Sequence, residues 1–475
     1  MKAMRTVSWA AFLIIAQLPG WGQAATSPAA PVRHVFVISV DGLMPEAYLH
    51  PEAHGLRVPA LREMVGNAAY SRGIQPVFPT VTYPSHASIA TGCNPGTHGI
   101  VTNRAWDPLE RNSGGLRWYA QDVTVPTIWE LLRSHHQPVT LIGWPVTVGA
   151  SSDLLVPDFW RANTAEDLKL LRAVSTPGLL DAVAREFPNF ASRYLDPETR
   201  DEAMTDIAIH AIHAQKPSLL MLHLIKVVYK EHVYGPFSPQ AIAAIEDIDR
   251  QISRIAQAVE TAGLREDSII MVVSDYGFTP TSTDIHPGVL LAGAGLVKME
   301  AHRLKEWKAV AMPMDGTTYI YVKDQSDSQT KKALLELFQP MAGKPGSGIA
   351  RVIAQEQISR MGGDPKAFLA LESADGFSME PGYEGDYSEP AGMAGTHGFF
   401  PDRIEMYGAL LVAGTPVQKG EIKGGRLIDI APTIASWFGL PFDRAEGVVL
   451  PIRLNTVHGE QAARHSTQGG QRRRF

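Results

Sequence analysis

Short, continuous apolar runs constrain the fold of this chain more than any other feature of its sequence. They are His34–Val40, Val139–Gly143, Leu219–Leu224, Ile269–Ser274 and Tyr407–Ala413. Their length and β-branched content are typical of buried strands, and apolarity without alternation favours strands covered on both faces. Helical patterns lie between them, and the clearest runs from Ile245 to Val259 with apolar residues three and four apart. The sequence therefore predicts an α/β fold with an open, doubly wound, mostly parallel sheet.

The first residues have the pattern of a secretory signal peptide. Lys2 and Arg5 precede an apolar stretch at 7–18, and small residues follow it. A basic start with a short apolar run indicates export, and roughly 20 apolar residues are needed to span a bilayer. We expect a signal peptide at 1–24, a flexible lead-in at 25–32 and a periplasmic or secreted protein with no stable membrane span. An uncleaved N-terminal anchor is the alternative.

The rest of the chain divides into a core and a smaller insertion. The strand–helix pattern loosens after residue 279, where only a strand at Thr317–Val322 and a helix at Ser328–Phe338 stand out. The expected parts are a core at 33–278 and 390–450, a smaller inserted subdomain at 279–389, and a disordered basic tail at 459–475. The net charge of −6 is too mild for binding to nucleic-acid duplexes. The single cysteine, Cys93, excludes an internal disulfide framework.

Two aspartates follow predicted strands, each close to a glycine. Asp41 and Gly42 come after the first apolar run, and Asp275 and Gly277 come after the fourth. Ligand sites of open α/β sheets form beyond the carboxyl ends of the strands. Two carboxylates that meet there repel each other and call for a cation. Two ordinary strand-end aspartates are the simpler alternative.

Thr82 lies next to a predicted helix start. Pro84 suits the first position of a helix that continues to Thr91, because its missing N–H costs nothing there. Thr82 is therefore expected just ahead of a helix N-terminus, where unpaired amides favour negative charge. A hydroxyl in that place, near a divalent cation, is suited to act as a nucleophile. A capping role is the alternative.

Several short motifs recur in an order and spacing that a known family shares. They are Asp41-Gly42, Thr82-Tyr83-Pro84-Ser85-His86, Thr91-Gly92, Thr97-His98-Gly99-Ile100, His232 before Val-Tyr-Gly-Pro, Asp275 in Ser-Asp-Tyr-Gly, and His397 in Gly-Thr-His-Gly. Asn103 follows Thr82 by 21 residues. Together they closely resemble the nucleotide pyrophosphatase/phosphodiesterase (type I phosphodiesterase) family of the alkaline phosphatase superfamily, over roughly residues 33 to 445.

The resemblance implies an alkaline phosphatase-like core that cleaves phosphodiester or pyrophosphate bonds with two zinc ions. It implies Thr82 as the nucleophile and Asn103 as the hydrogen-bond donor to the phosphoryl oxygen. The implied metal ligands are Asp41, Thr82, Asp275, His232 and His397. Tyr83 stands where relatives stack a ring on a substrate base, and packing is its alternative role. The implied partner is a small phosphodiester or nucleotide, and lipid head-group diesters stay open.

Two ligand positions of the family are substituted here. Val228 stands four residues before His232, where relatives carry Asp, and Tyr276 follows Asp275, where they carry His. A catalytic zinc ion needs about three protein ligands, so one ion or none are alternatives to two. Glu231 is a candidate replacement if its loop rearranges. Lys226 is another, because it shares a face with residue 228 if the strand continues, and its ammonium would then bind a phosphate or carboxylate.

These features predict an exported phosphodiesterase/nucleotide pyrophosphatase-like hydrolase that attacks phosphorus through Thr82. The alternative is a family member with a degenerate metal site. Such a protein would bind an anionic or phosphate-bearing ligand, or catalyse a different reaction in the inherited pocket. Val228 and Tyr276 are the residues that distinguish the two.

Overall fold

An eight-stranded, mostly parallel sheet forms the centre of the computed structural model, which describes residues 32–109, 111, 115–159 and 164–455. The predicted signal peptide and basic tail, with most of the predicted lead-in, lie outside these residues. The strands in chain order are β1 His34–Val40, β2 Ala69–Ser71, β3 Val139–Ile142, β4 Leu154–Val156, β5 Leu219–Leu224, β6 Ser268–Val273, β7 Thr279–Ile285, β8 Val297–Glu300, β9 Arg303–Trp307, β10 Ala309–Met314, β11 Thr317–Val322, β12 Ile349–Ala354, β13 Leu369–Ser373, β14 Gly376–Met379, β15 Ser388–Pro390, β16 Gly395–Thr396, β17 Leu410–Ala413 and β18 Gly420–Ile422.

Helices connect most of these strands. They are α1 Glu46–Leu49, α2 Pro59–Asn67, α3 Thr82–Thr91, α4 Pro95–His98, α5 Ile128–Ser134, α6 Ala165–Val174, α7 Leu179–Glu186, α8 Phe190–Leu195, α9 Arg200–Gln215, α10 Lys226–Tyr234, α11 Pro239–Thr261, α12 Pro287–Gly293, α13 Ser328–Phe338, α14 Gln355–Arg360 and α15 Ile430–Trp437. Within the residues that the structure describes, no helix is both long and apolar enough to cross a membrane.

The large sheet has the order β18-β2-β17-β6-β1-β5-β3-β4. β1 runs parallel to both β5 and β6, with Val35 opposite Leu219 on one side and Ile269 on the other. β17 is antiparallel to both of its neighbours. The predicted doubly wound, mostly parallel α/β fold is therefore confirmed.

Two apolar layers cover the faces of this sheet. Successive side chains of a strand point to opposite faces, so Val35 and Val37 of β1 pack in one layer and Phe36 and Ile38 in the other. The first layer contains apolar residues of α5 and α15, and the second contains those of α9 and α11. Covering on both faces explains why the strands read as continuous apolar runs.

Residues after β6 form further sheets beside the large one. A four-stranded sheet has the order β10-β11-β13-β12, and β7 pairs with β14, β15 and β16. Phe78, just before α3, packs edge-on against Tyr319 of β11 and against Phe400, at ring-centroid distances of 5.5 and 4.8 Å. The strand and helix predicted within 279–389 form at Thr317–Val322 and Ser328–Phe338. That residues 279–389 form a separate subdomain stays a prediction.

Candidate active site

Asp41 and Asp275 meet at one edge of the large sheet because their strands are parallel neighbours. Both side chains are buried, and the backbone N–H of Gly42 donates to Asp275 Oδ1 at 3.3 Å. Burial and the charge of Asp41 raise the pKa of Asp275 well above its usual value. Burial also acts to raise the pKa of Asp41, but its interaction with His223 holds that pKa below the usual value. The crevice predicted from the two strand ends is therefore present, and its two carboxylates repel each other.

Thr82 is the first residue of α3, which begins two residues before Pro84, the predicted helix start. Its Oγ1 lies 2.8 Å from the hydroxyl of Tyr276, which directly follows Asp275. The Thr82 carbonyl accepts a hydrogen bond of 2.8 Å from Nδ1 of His86, one turn further along α3. The hydroxyl is thus held beside the strand-end carboxylates at the N-terminus of a ten-residue helix, where the helix dipole favours negative charge.

Asn103 lies against the same helix start. Its Oδ1 accepts a hydrogen bond of 2.9 Å from the backbone N–H of Tyr83. Because an N–H needs an acceptor, this bond identifies the oxygen of the carboxamide. The group that Asn103 can present to a ligand is therefore its NH₂, which can only donate.

Tyr83 is buried, and its hydroxyl donates to Asp158 Oδ2 at 2.6 Å. Its ring packs with Ala87 and Ile100 in a small apolar cluster. The expectation that Tyr83 offers a ring for stacking on a substrate base is not supported by this placement, and packing accounts for the residue.

His232 and His397 form a pair on the other side of Tyr276. His232 Nδ1 donates to the carbonyl of Gly395 at 3.1 Å, and His397 Nδ1 donates to the carbonyl of Thr80 at 2.9 Å. The two ring centroids lie 5.2 Å apart. With Nδ1 used as a donor, each ring keeps an Nε2 lone pair, which is the usual arrangement of a histidine that binds a metal.

The two substituted positions contribute no anionic ligand. Val228 is half-buried and packs against the cluster of Met44, Tyr276 and Phe278. The Tyr276 ring stacks on His397 with centroids 3.9 Å apart. Burial, followed by the charges of Asp275 and Asp41, raises the pKa of Tyr276 well above its usual value. Tyr276 is therefore a neutral phenol.

The structure contradicts the prediction for Lys226. The strand ends at Leu224, and Lys226 starts α10, so that the two-residue period of a strand does not apply. Its Nζ donates to Asp247 Oδ2 of α11 at 3.1 Å. The ammonium of Lys226 is thus directed to α11. The strand geometry on which its predicted binding of a phosphate or carboxylate depended is absent.

Three residues at the site were not assigned a role from the sequence. His223 Nε2 lies 3.3 Å from Asp41 Oδ2, and its Nδ1 donates to the carbonyl of Gly143 at 3.2 Å. Asp315 Oδ2 lies 3.8 Å from His397 Nε2. Asp158 binds Tyr83, as above. His223 carried a signal, because it is a polar residue inside the otherwise apolar strand β5.

The donor set of the crevice is suited to a divalent cation. Buried carboxylate oxygens without a hydrogen-bond partner among the described residues are Asp41 Oδ1, Asp275 Oδ2 and both oxygens of Glu231. Carboxylates and imidazoles are common ligands of Zn²⁺. As the described side chains lie, no three His, Cys, Asp or Glu residues are arranged to hold a metal ion. The residues fit a cation in their chemistry, and enclosing one requires side-chain rotation.

Comparison with known proteins places the chain in a family. The profile of the family described as "Type I phosphodiesterase / nucleotide pyrophosphatase" matches residues 35–398. Over 252 residues the chain is 25% identical to ectonucleotide pyrophosphatase/phosphodiesterase family member 1 of Mus musculus, covering 51% of this chain and 23% of the mouse protein. It is 26% identical to an uncharacterized pyrophosphatase/phosphodiesterase of Schizosaccharomyces pombe, covering 52% and 45% of the two chains. The chain thus spans less than half the length of these relatives.

Solved structures show the same fold. Murine ectonucleotide pyrophosphatase/phosphodiesterase 5, as an inactive variant in complex with AMP, matches with a TM-score of 0.62 and 19% identity, covering 87% of this chain and 97% of that one. The human protein of the same name matches with a TM-score of 0.62 and 16% identity, covering 88% and 100%. The fold and the profile match over most of the sequence agree, and the chain belongs to the type I phosphodiesterase/nucleotide pyrophosphatase family.

Proposed function

We propose that this protein hydrolyses phosphodiester or pyrophosphate bonds of small nucleotide substrates, with Thr82 as the nucleophile. The observation that carries the proposal is the placement of the Thr82 hydroxyl at the first turn of α3, in the crevice that also holds Asp41 and Asp275. The names of the family and of its relatives support the reaction class. The AMP complex of the murine neighbour supports a nucleotide substrate.

Each residue of the crevice has a role that its surroundings allow. The N-terminus of α3 favours the negative charge of the phosphoryl group. The NH₂ of Asn103 would donate to a phosphoryl oxygen as charge develops on it. Tyr276 orients the Thr82 hydroxyl by a hydrogen bond, and its raised pKa makes it unsuited to be the base.

One divalent cation would be held by Asp41 and Asp275, with Thr82 beside them, and a second would be held by His232 and His397. When bound, they would supply Lewis acidity that lowers the pKa of the nucleophile and offsets the charge of the substrate. We propose zinc for this role because imidazole and carboxylate are ligands that it accepts.

Turnover of a chromogenic nucleotide phosphodiester by the purified protein with added Zn²⁺ tests the proposal. We expect clear hydrolysis that Thr82→Ala abolishes and a strong chelator stops. Thr82→Ser is the matched variant, because it keeps the hydroxyl and should keep part of the activity. Wild-type turnover no greater than that of Thr82→Ala would rule the proposal out.

A second function is favoured by one observation, which is the loss of two ligand types at Val228 and Tyr276. In that case the pocket binds an anionic or phosphate-bearing ligand without hydrolysing it, or catalyses a different reaction. The double variant Val228→Asp with Tyr276→His then creates diesterase activity that the wild type lacks. If the first proposal holds, the wild type is already active and the double variant changes the rate without creating it.

We also propose that the protein is exported to the periplasm or secreted, on the basis of the pattern in residues 1–24. N-terminal sequencing of the protein recovered outside the cytoplasm should show a start near Ala25. Recovery with Met1 in place would argue for the uncleaved anchor instead.

A further inference from the structure

Glu231 is a buried carboxylate that no residue of the described structure neutralises. It belongs to α10, its exposed fraction is 0%, and neither carboxylate oxygen has a hydrogen-bond partner there. Burial and the charge of Asp41 raise its pKa well above the usual value. A buried carboxylate without a partner is costly, so its position calls for an explanation.

The cationic residues of α10 do not pair with the carboxylate of Glu231. Lys226 Nζ donates to Asp247 at 3.1 Å, and Lys230 Nζ donates to Glu198. His232, the next residue, uses its Nδ1 on the carbonyl of Gly395. These groups are engaged elsewhere.

The carboxylate of Glu231 lies against Gly42, the residue that follows Asp41. Gly42 has a positive φ of 77°, and a Cβ at this residue would lie 2.9 Å from Glu231 Oε2. The same Cβ position is 3.5 Å from Val228 Cα. Gly42 directly follows Asp41 and donates its N–H to Asp275 Oδ1. The end of the Glu231 side chain therefore lies where Asp41, Asp275 and the α10 backbone come together.

Helix geometry relates Glu231 to the valine at 228. Residues three apart on a helix are neighbours on one face, so Glu231 lies one turn beyond Val228 and on its side of α10. A glutamate has one more methylene than an aspartate, which gives it the reach to serve the same crevice from the next turn. The missing carboxylate at 228 and the unpartnered carboxylate at 231 thus face the same place.

We propose that Glu231 is a ligand of a divalent cation that it shares with Asp41 and Asp275, in place of a carboxylate at position 228. The inference rests on the proposed function for its metal, but it concerns binding and not turnover. It requires the side chain of Glu231 to rotate toward the ion, since no three donors are arranged around one point as the described residues lie.

Binding of Zn²⁺ alone to the full-length protein tests the inference. Isothermal titration gives the affinity, and metal content after dialysis gives the stoichiometry. Glu231→Gln keeps the shape of the side chain and removes its charge, and we expect it to weaken Zn²⁺ binding by at least about tenfold. The double variant Val228→Asp with Glu231→Gln places a carboxylate at residue 228, one turn before Glu231 on α10. It should therefore regain much of the Zn²⁺ affinity that Glu231→Gln loses.

Glu198→Gln is the matched control, because Glu198 is a carboxylate that contacts α10 through Lys230 and its side chain is 53% exposed. We expect it to leave Zn²⁺ affinity nearly unchanged. The metal-free Glu231→Gln protein should melt at or above the wild-type temperature, since it has lost a buried carboxyl group that has no partner among the described residues, and this shows that it is folded. Zn²⁺ affinity of Glu231→Gln equal to that of the wild type, an equal loss of affinity in Glu198→Gln, or no Zn²⁺ uptake by the wild type would each overturn the inference.

Diesterase activity of the same samples separates this inference from the proposed function. Glu231-dependent Zn²⁺ binding without Thr82-dependent turnover would support the ligand and reject the hydrolase. Thr82-dependent turnover with Zn²⁺ affinity insensitive to Glu231 would support the hydrolase and reject the ligand.

Discussion

The Tyr276 hydroxyl lies 2.8 Å from the Thr82 hydroxyl, and its ring stacks on His397. A histidine at this position would offer a nitrogen lone pair to a metal, whereas this phenol is neutral because burial raises its pKa. Tyr276 therefore links Thr82 to the histidine pair by packing and one hydrogen bond. At the scale of single residues, the site has a threonine hydroxyl at the helix start, with Val228 and Tyr276 where the resemblance implies Asp and His.

Glu380 makes the stability of the fold depend on pH. Burial, followed by the charges of Asp315 and Asp284, raises the pKa of Glu380 from 4.5 to about 7. In the unfolded chain the pKa returns to its ordinary value, so between about 4.5 and 7 the folded state holds more protons than the unfolded state. The free energy of unfolding therefore falls as the pH rises through this range, by at most about 3 kcal/mol.

We expect Glu380→Gln to remove this fall in the free energy of unfolding with rising pH. The variant should be more stable than the wild type at pH 8 and close to it at pH 4, as measured by urea denaturation at both values. Glu384→Gln, a change at an exposed carboxylate nearby, is the control. A difference between Glu380→Gln and the wild type that is equal at both pH values would contradict the prediction.

The N-terminus of helix α10 is capped by a residue from another helix. Its N-cap, Ile225, has no side chain that can accept a hydrogen bond, and Asp201 near the start of α9 takes over that role. The Asp201 carboxylate accepts the backbone N–H of Ile225 at 3.1 Å and that of Lys226 at 2.9 Å. Val228, Glu231 and His232 are thus placed by a contact that is distant in sequence, which is why the predicted continuation of the strand was wrong.

Asp201→Ala should destabilise the protein by about 1–3 kcal/mol, because it leaves two amides at a partly buried helix start without their acceptor. Asp201→Asn keeps one acceptor oxygen and should cost less. Urea denaturation measures both, with Glu202→Ala on the next residue of α9 as the control. An unchanged midpoint for Asp201→Ala would mean that α10 starts without this contact.

On the scale of the whole molecule, the large sheet brings together residues from distant parts of the chain. β1 and β6 are neighbours, so Asp41 and Asp275 meet, and the turn between β10 and β11 carries Asp315 to His397. Phe78 packs against Tyr319 and Phe400, which joins the segment before Thr82 to the four-stranded sheet β10-β11-β13-β12. The crevice is therefore built by the large sheet and by the elements between β7 and β16 together.

The sequence by itself determined the strands and the crevice at their ends. Continuous apolar runs and strand-end aspartates are local signals, and β1, β5, β11 and α13 form with the predicted bounds. Tertiary structure alone decided which groups complete the crevice. His223, Asp315 and Glu231 come to the crevice from distant parts of the chain. Lys226 starts α10 instead of extending β5, where its backbone N–H donates to Asp201. Local patterns report burial and backbone preference, whereas ligand sets and pKa values depend on which distant charges folding brings within a few ångströms.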